Sequence, residues 1–214
     1  ILKINNELLT IRTLDNLQEV VRRLNLNVNY TIDGRYHPTL LYGNTLPVEV
    51  NMIGLADNAF AKCDMTIADN KVLFSGFVLG MEELGGQVTA KLNDTVSTPI
   101  GLLCAQATDY YQAGKKYDVI HVRRSGIEST AGGYAGRLGV SLANKNAEVI
   151  LLTINDICRQ RGDDFLNTLV AVYNDNWLKD KNQIMVSTSM FIDDRLQLIE
   201  QELGNVDSDI SYYK

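Results

Sequence analysis

Proline, cysteine and histidine are scarce in this chain: three, three and two among 214 residues. Cys63, Cys104 and Cys158 lie far apart, form no CxxC pair and have no zinc-ligand spacing. Their odd number in so large a chain means that disulfides are not what holds it together. His37 and His121 are too isolated to build a histidine metal site, so neither a metal nor another cofactor is expected. No stretch approaches the ~18 consecutive apolar residues of a membrane-spanning helix, and no signal peptide is visible. Basic residues never run longer than two, and 20 Lys+Arg stand against 26 Asp+Glu for a net charge of −6. That balance is unsuited to gripping phosphate backbones, so no nucleic-acid partner is expected. What remains is 45% hydrophobic and 21% charged, which supports a sizeable core and excludes disordered or collagen-like classes.

Hydrophobic periodicity organises the chain into an α+β fold. Residues 6–24 read as helix in two pieces, with Thr13 placed to cap the second and Leu14, Leu17, Val20, Val21 and Leu24 on one face. Residues 25–44 are polar and turn-rich and read as irregular, with at most short extended segments. From Pro47 the period becomes two. Val48 to Met52 is a strand, and Ala59, Ala61, Cys63, Met65 and Ile67 alternate with polar residues along another. Asp69-Asn70 then turns the chain into a hairpin with 71–79. Further strands are expected at 87–92, around 99–104, and at 117–122, 140–142 and 149–154, the last being the most apolar and hence central. A short Gly-rich helix fills 129–138. The sum is a mixed β-sheet base packed by helices over 1–158.

Residues 159–214 read as one long helix projecting as an arm, the first arm of a truncated helical hairpin. Leu166, Leu169, Val170, Tyr173, Trp177 and Leu178 give a broad apolar face, with Leu166, Leu169, Tyr173 and Trp177 assigned to helix-to-sheet packing. Further along the face narrows. Ile192, Leu196, Ile199, Leu203, Val206 and Ile210 are spaced as in a coiled-coil seam. The first forty-five or so residues of this helix alone would span roughly 65 Å, and Gly204 costs about 1 kcal/mol within a helix. The seam suits either an interaction between copies or packing against a returning helix beyond residue 214. The absent initial methionine and the periodicity persisting to Lys214 suggest a piece of a longer protein.

Residues that could carry chemistry are dispersed. Gly126, Gly132, Gly133, Gly136 and Gly139 follow neither nucleotide-loop order; Gly133, Gly136 and Gly139, at spacing three, favour close approach of a short helix to a sheet. Cys104 or Cys158 with His121 as base would make a thiol enzyme, but the cysteines sit in apolar surroundings that favour core packing. Glu82-Glu83 and Asp163-Asp164 are adjacent in sequence and cannot face each other across a substrate. Asp163-Asp164 suits the first turn of a helix. Arg161-Gly162-Asp163 spells an adhesion tripeptide, and Asn29 and Asn93 open glycosylation sequons. Arg22-Arg23, Lys115-Lys116 and Arg123-Arg124 are read as solvated basic pairs. The sum is a domain without catalysis of its own.

Two stretches resemble a known family. Asn6-Glu7-Leu8-Leu9-Thr10-Ile11-Arg12 with Leu17-Gln18-Glu19-Val20-Val21-Arg22-Arg23-Leu24-Asn25-Leu26 is similar to the opening helical pattern of Wzz-type chain-length determinants, the polysaccharide copolymerases, including those fused to tyrosine kinases. Val149-Ile150-Leu151-Leu152-Thr153-Ile154 followed by Asp164-Phe165-Leu166-Asn167-Thr168-Leu169-Val170-Ala171-Val172-Tyr173 looks like that family's strand entering its long helix. Phe191-Ile192-Asp193-Asp194-Arg195-Leu196 and Glu200-Gln201-Glu202-Leu203 continue the match. The family's frequent proline before the long helix is missing from Arg159-Gln160-Arg161-Gly162.

The resemblance implies the periplasmic domain of a bacterial inner-membrane protein, with transmembrane helices outside this segment and a kinase domain following in some members. It implies a homo-oligomeric ring that works with a polysaccharide polymerase or export machinery, with the glycan chain as a further candidate partner, to set the length of O-antigen, capsule or exopolysaccharide chains. An adaptor-like periplasmic component of a secretion or efflux system is the alternative, since helical hairpins also project from small β-rich domains there.

Overall fold

The computed structural model describes residues 2–144 and 149–212, with side chains described over 7–144 and 149–200. Two compact units are resolved, 1–170 and 171–214. The first reaches past the 158/159 boundary expected from the sequence.

In chain order the elements are α1 (Leu2–Ile11), α2 (Leu14–Arg23), β1 (Val28–Ile32), β2 (Thr39–Leu41), β3 (Val48–Ile53), β4 (Ala61–Ala68), β5 (Lys71–Leu79), β6 (Glu82–Leu84), β7 (Val88–Lys91), β8 (Thr95–Thr98), β9 (Gly101–Ala107), β10 (Ile120–Arg124), α3 (Ile127–Arg137), β11 (Leu138–Leu142), β12 (Ile150–Ile154) and α4 (Arg159–Tyr212). The α+β class holds. A large sheet runs β2-β1-β10-β4-β5-β6, with β7 also pairing β5; β3-β9-β8 and β11-β12 form two smaller sheets.

Every strand pair among the described residues is antiparallel, so the sheet is not mixed. Parallel neighbours need a long crossover between strands of one sheet. Among the described residues the one α-helical connection between strands, β10–α3–β11, leads into a different sheet.

Two further expectations are corrected. Residues 25–44 contain β1, which is an interior strand paired with β2 on one side and β10 on the other. Its hydrogen-bond partner at Arg124 is remote in sequence, so local composition reads as loop. Conversely β12, the most apolar strand, is not central. It pairs only with β11, and its residues alternate between half-buried and exposed. β6 and β8 are short strands that periodicity did not indicate.

The main core lies among strands of the two larger sheets, where Met65, Phe74, Phe77, Ile100, Leu103 and Ile120 are fully buried. Each such side chain contributes about 1.5–3 kcal/mol relative to exposure. Alternation along β4 buries Ala61, Cys63, Met65 and Ile67, as their spacing requires. On β5 the alternation slips one place between Phe74 and Phe77. Gly76, at φ +60°, takes up the extra residue where the β4–β5 register shifts, so both phenylalanines face inward. The Tyr30 hydroxyl on β1 accepts the Val50 N–H of β3 at 2.9 Å, bonding one sheet to the other.

The β4–β5 hairpin closes through Asp69 and Asn70, at φ +43° and +64° between the paired residues Ala68 and Lys71. Two successive positive φ values define the turn whose twist matches the strands. Asn70→Val, which forces a branched side chain into that conformation, is expected to cost about 1–2 kcal/mol in urea unfolding. Asn70→Gly should leave stability unchanged or slightly raised.

A second apolar cluster is helical. Leu17, Val20 and Val21 of α2 and Ile127, Ala131 and Tyr134 of α3 are buried where the two helices pack. Phe165, from the first turns of α4, stacks on Tyr134 with centroids 4.4 Å apart and planes 10° from parallel. Thr13 occupies the α2 cap position, but its hydroxyl donates to the Thr10 carbonyl and caps nothing.

Candidate functional site

α4 carries the widest exposed apolar surface. Within 171–200, Trp177, Ile184, Phe191 and Leu198 recur every seven residues, and Leu178, Met185, Ile192 and Ile199 do so one place on. All eight are about half exposed or more. Seven residues fall ~20° short of two full turns, so each row stays on one side of the helix over this length. Lys181, Thr188 and Arg195 share the interval and run between the rows; the Lys181 ammonium sits 5.5 Å above the Trp177 ring. The stripe is therefore apolar with cationic heads that can lift clear of it.

Helix geometry brings the expected seam residues Ile192, Leu196 and Ile199 together on this stripe, at 51%, 53% and 48% exposure. Leu203 and Val206, with Ile210, lie outside the residues whose side chains are described. The row from Trp177 to Leu198 was missed, although its seven-residue interval was there to be read.

The packing face nearer the start of α4 needs correction. Leu169 is fully buried, but Leu166 and Tyr173 are only partly so, and Trp177 is 49% exposed. Phe165 takes the place given to Trp177. Phe165, which was not among the assigned residues, stacks on Tyr134 of helix α3. Successive residues are about 100° apart on a helix, and a wide apolar arc leaves its buried centre open by one residue.

The chemistry-bearing residues of the first unit are engaged in structure. Cys63 is buried in the core, and burial, with the Asp64 carboxylate beside it, pushes its thiol up to about 12. Cys104 is buried on β9 and Cys158 partly exposed. His121 is not aimed at either thiol: its Nδ1 lies 2.7 Å from Asp64 Oδ1 and its Nε2 3.4 Å from Asp33 Oδ1. These partners raise the imidazole above its ordinary range, the Asp64 hydrogen bond most of all. No group of three or more His, Cys, Asp or Glu side chains among the described residues could hold a metal ion.

Arg161 cannot serve an adhesion tripeptide, because it is buried. Its Nε and Nη2 donate to Asp156 at 2.8–3.1 Å and its Nη1 to Asn29 Oδ1 at 3.2 Å. Asp164 accepts the Tyr42 hydroxyl at 3.0 Å; burial first and this bond second raise that phenol. Asn93, at φ +68°, accepts the Ala107 N–H through its side chain. Of the basic pairs, Arg124 is buried and donates to the Ala56 and Ala59 carbonyls, while Arg22 pairs with Asp57 and Arg23 with Glu19. The solvated reading fails for Arg124 because interior carbonyls need its donors.

The glycines of α3 do not let it approach a sheet. A Cβ on Gly132, Gly133 or Gly136 would meet open space; only Gly126, against Asn58 at 3.1 Å, and Gly139, against Thr153, are closely approached.

No helix among the described residues is long and apolar enough to cross a membrane. The chain matches no protein-family model and no curated protein sequence.

Proposed function

We propose that this chain is a non-catalytic periplasmic domain of a bacterial inner-membrane protein that regulates the length or export of a surface polysaccharide: O-antigen, capsule or exopolysaccharide. The carrying observation is the half-exposed apolar stripe at Ile192, Leu196 and Ile199, which costs solubility unless a partner covers it. Heptad-spaced apolar rows are what helix-to-helix association uses. The resemblance of the stretches at Asn6–Leu26 and Val149–Tyr173 to Wzz-type determinants supplies the function that such assembly would serve. The partners on this reading are further copies of the chain in a ring, the polymerase or export machinery, and the growing glycan.

Deleting the gene is expected to abolish the characteristic length distribution of the surface polysaccharide on a gel. The unaltered gene should restore it. Leu196→Asp with Ile199→Asp should not, at equal protein level, because two carboxylates cannot be buried unpaired in a helix interface. A deletion strain with an unchanged length distribution discards this reading.

A further inference from the structure

His121 stands on β10 with Asp64 opposite on β4 and Thr31 opposite on β1. Asp33 follows β1 and opens the 33–38 connection to β2. The imidazole is thus flanked on both nitrogens by carboxylates, at 2.7 Å from Asp64 and 3.4 Å from Asp33. The two are held differently. Asp64 is 28% exposed and lies over Gly76, where an added Cβ would come within 2.7 Å of its Oδ2; Asp33 is 88% exposed and is not fixed by a neighbouring strand.

We propose that His121 is a proton-operated clasp: as an imidazolium it donates to Asp64 and Asp33 together and holds the start of the 33–38 segment to the large sheet, and on losing its Nε2 proton it lets that segment go. Only the imidazolium has two N–H donors. The neutral ring keeps its proton on Nδ1, where the shorter bond to Asp64 is, and turns a lone pair on Nε2 towards the Asp33 carboxylate. An attraction becomes a repulsion at one end of the ring while the other end stays bound.

The remaining charged groups nearby do not supply a competing partner. Arg123 and Lys62 lie opposite each other two places along β10 and β4, and the Arg123 guanidinium is taken up over the Phe60 ring at 5.1 Å. From β5, the residue opposite Asp64 is Ser75, which is uncharged. Arg35, 5.4 Å over the Tyr36 ring, and His37 belong to the segment that is released.

The sign follows from the direction of the shift. Because the folded protein holds this proton more tightly than an ordinary histidine, the clasp is fully closed below about pH 6.5 and opens as pH rises through the raised midpoint.

With two histidines in the chain, His121 can be followed by its imidazole C–H resonances, assigned by loss in His121→Gln. Its midpoint is expected above the ordinary value, to fall in Asp33→Asn, and to fall further in Asp64→Asn. In a His37→Gln background, which removes the segment's own imidazole, the backbone amide resonances of 34–37 should shift with the His121 midpoint and lose that transition on adding either Asp33→Asn or His121→Gln. Asp33 is exposed, so its variant tests the clasp without threatening the fold. An unshifted His121 midpoint, a midpoint indifferent to Asp33→Asn, or loop amides that ignore the titration would each overturn the proposal.

Discussion

Asp156→Ala is expected to lower the stability of the chain by about 3–5 kcal/mol, seen as a fall in the urea midpoint with little change in slope. The Asp156 side chain is 2% exposed and that of its partner Arg161 is 9% exposed. The carboxylate accepts from Arg161, lies 3.5 Å from Arg137 Nη1 and takes the Cys158 N–H at 2.9 Å. Removing it leaves a buried guanidinium with its hydrogen bond to Asn29 Oδ1. Arg161→Ala should cost less, because Asp156 then keeps Arg137 and the Cys158 amide. The double replacement should cost clearly less than the sum, since neither charge is left stranded. Additive losses would show that the pair is not a coupled unit and that its atoms are satisfied independently.

Phe165→Ala should cost a similar ~3–5 kcal/mol, and Trp177→Ala no more than ~0.5 kcal/mol. Both are large aromatic residues near the start of one helix, so composition and propensity do not separate them. Their surroundings do. Phe165 is fully buried and face to face with Tyr134, and truncation opens a cavity in a close-packed helical cluster. Half of Trp177 already faces water, and the Lys181 ammonium sits above its ring. Thermal melts of the two variants distinguish the cases directly. Equal losses would mean that Trp177 is buried after all in the protein in solution.

The elements that could be read from sequence are those whose signal is local. The β4–β5 hairpin is written in a two-residue alternation broken by Asp69-Asn70, and α4 in a proline-free apolar period longer than any strand. β1 was not legible because Asn29-Tyr30-Thr31 gains its place from a partner strand at 120–124. β12 misled in the opposite sense: apolar runs report burial potential, and cannot tell an interior strand from a two-stranded sheet.

The site shows the same division. Ile192, Leu196 and Ile199 could be grouped by helical arithmetic alone. Asp156 with Arg161 and Asn29, or Asp64 with His121 and Asp33, could not, because nothing across a separation of 57 positions announces that Asp64 will face His121. The burial of Arg161 was equally illegible, since it depends on a carboxylate that the fold brings to it.

The pairing of β1 with β10 bears on how this protein can change through descent. The chain leaves β1 at Ile32 and enters β10 at Ile120, and those two residues are opposed partners in adjacent antiparallel strands. Opposed residues of such strands lie about 5 Å apart, a gap that a two-residue turn can bridge. Everything between them is thus attached as a bracketed passage whose ends already meet. A longer passage raises the closure cost only logarithmically, by about 0.6 kcal/mol per doubling. Loops within the 33–119 stretch can therefore lengthen over generations at little closure cost, while the β1–β10 pairing and the β4–β10 pairing beside it stay where they are.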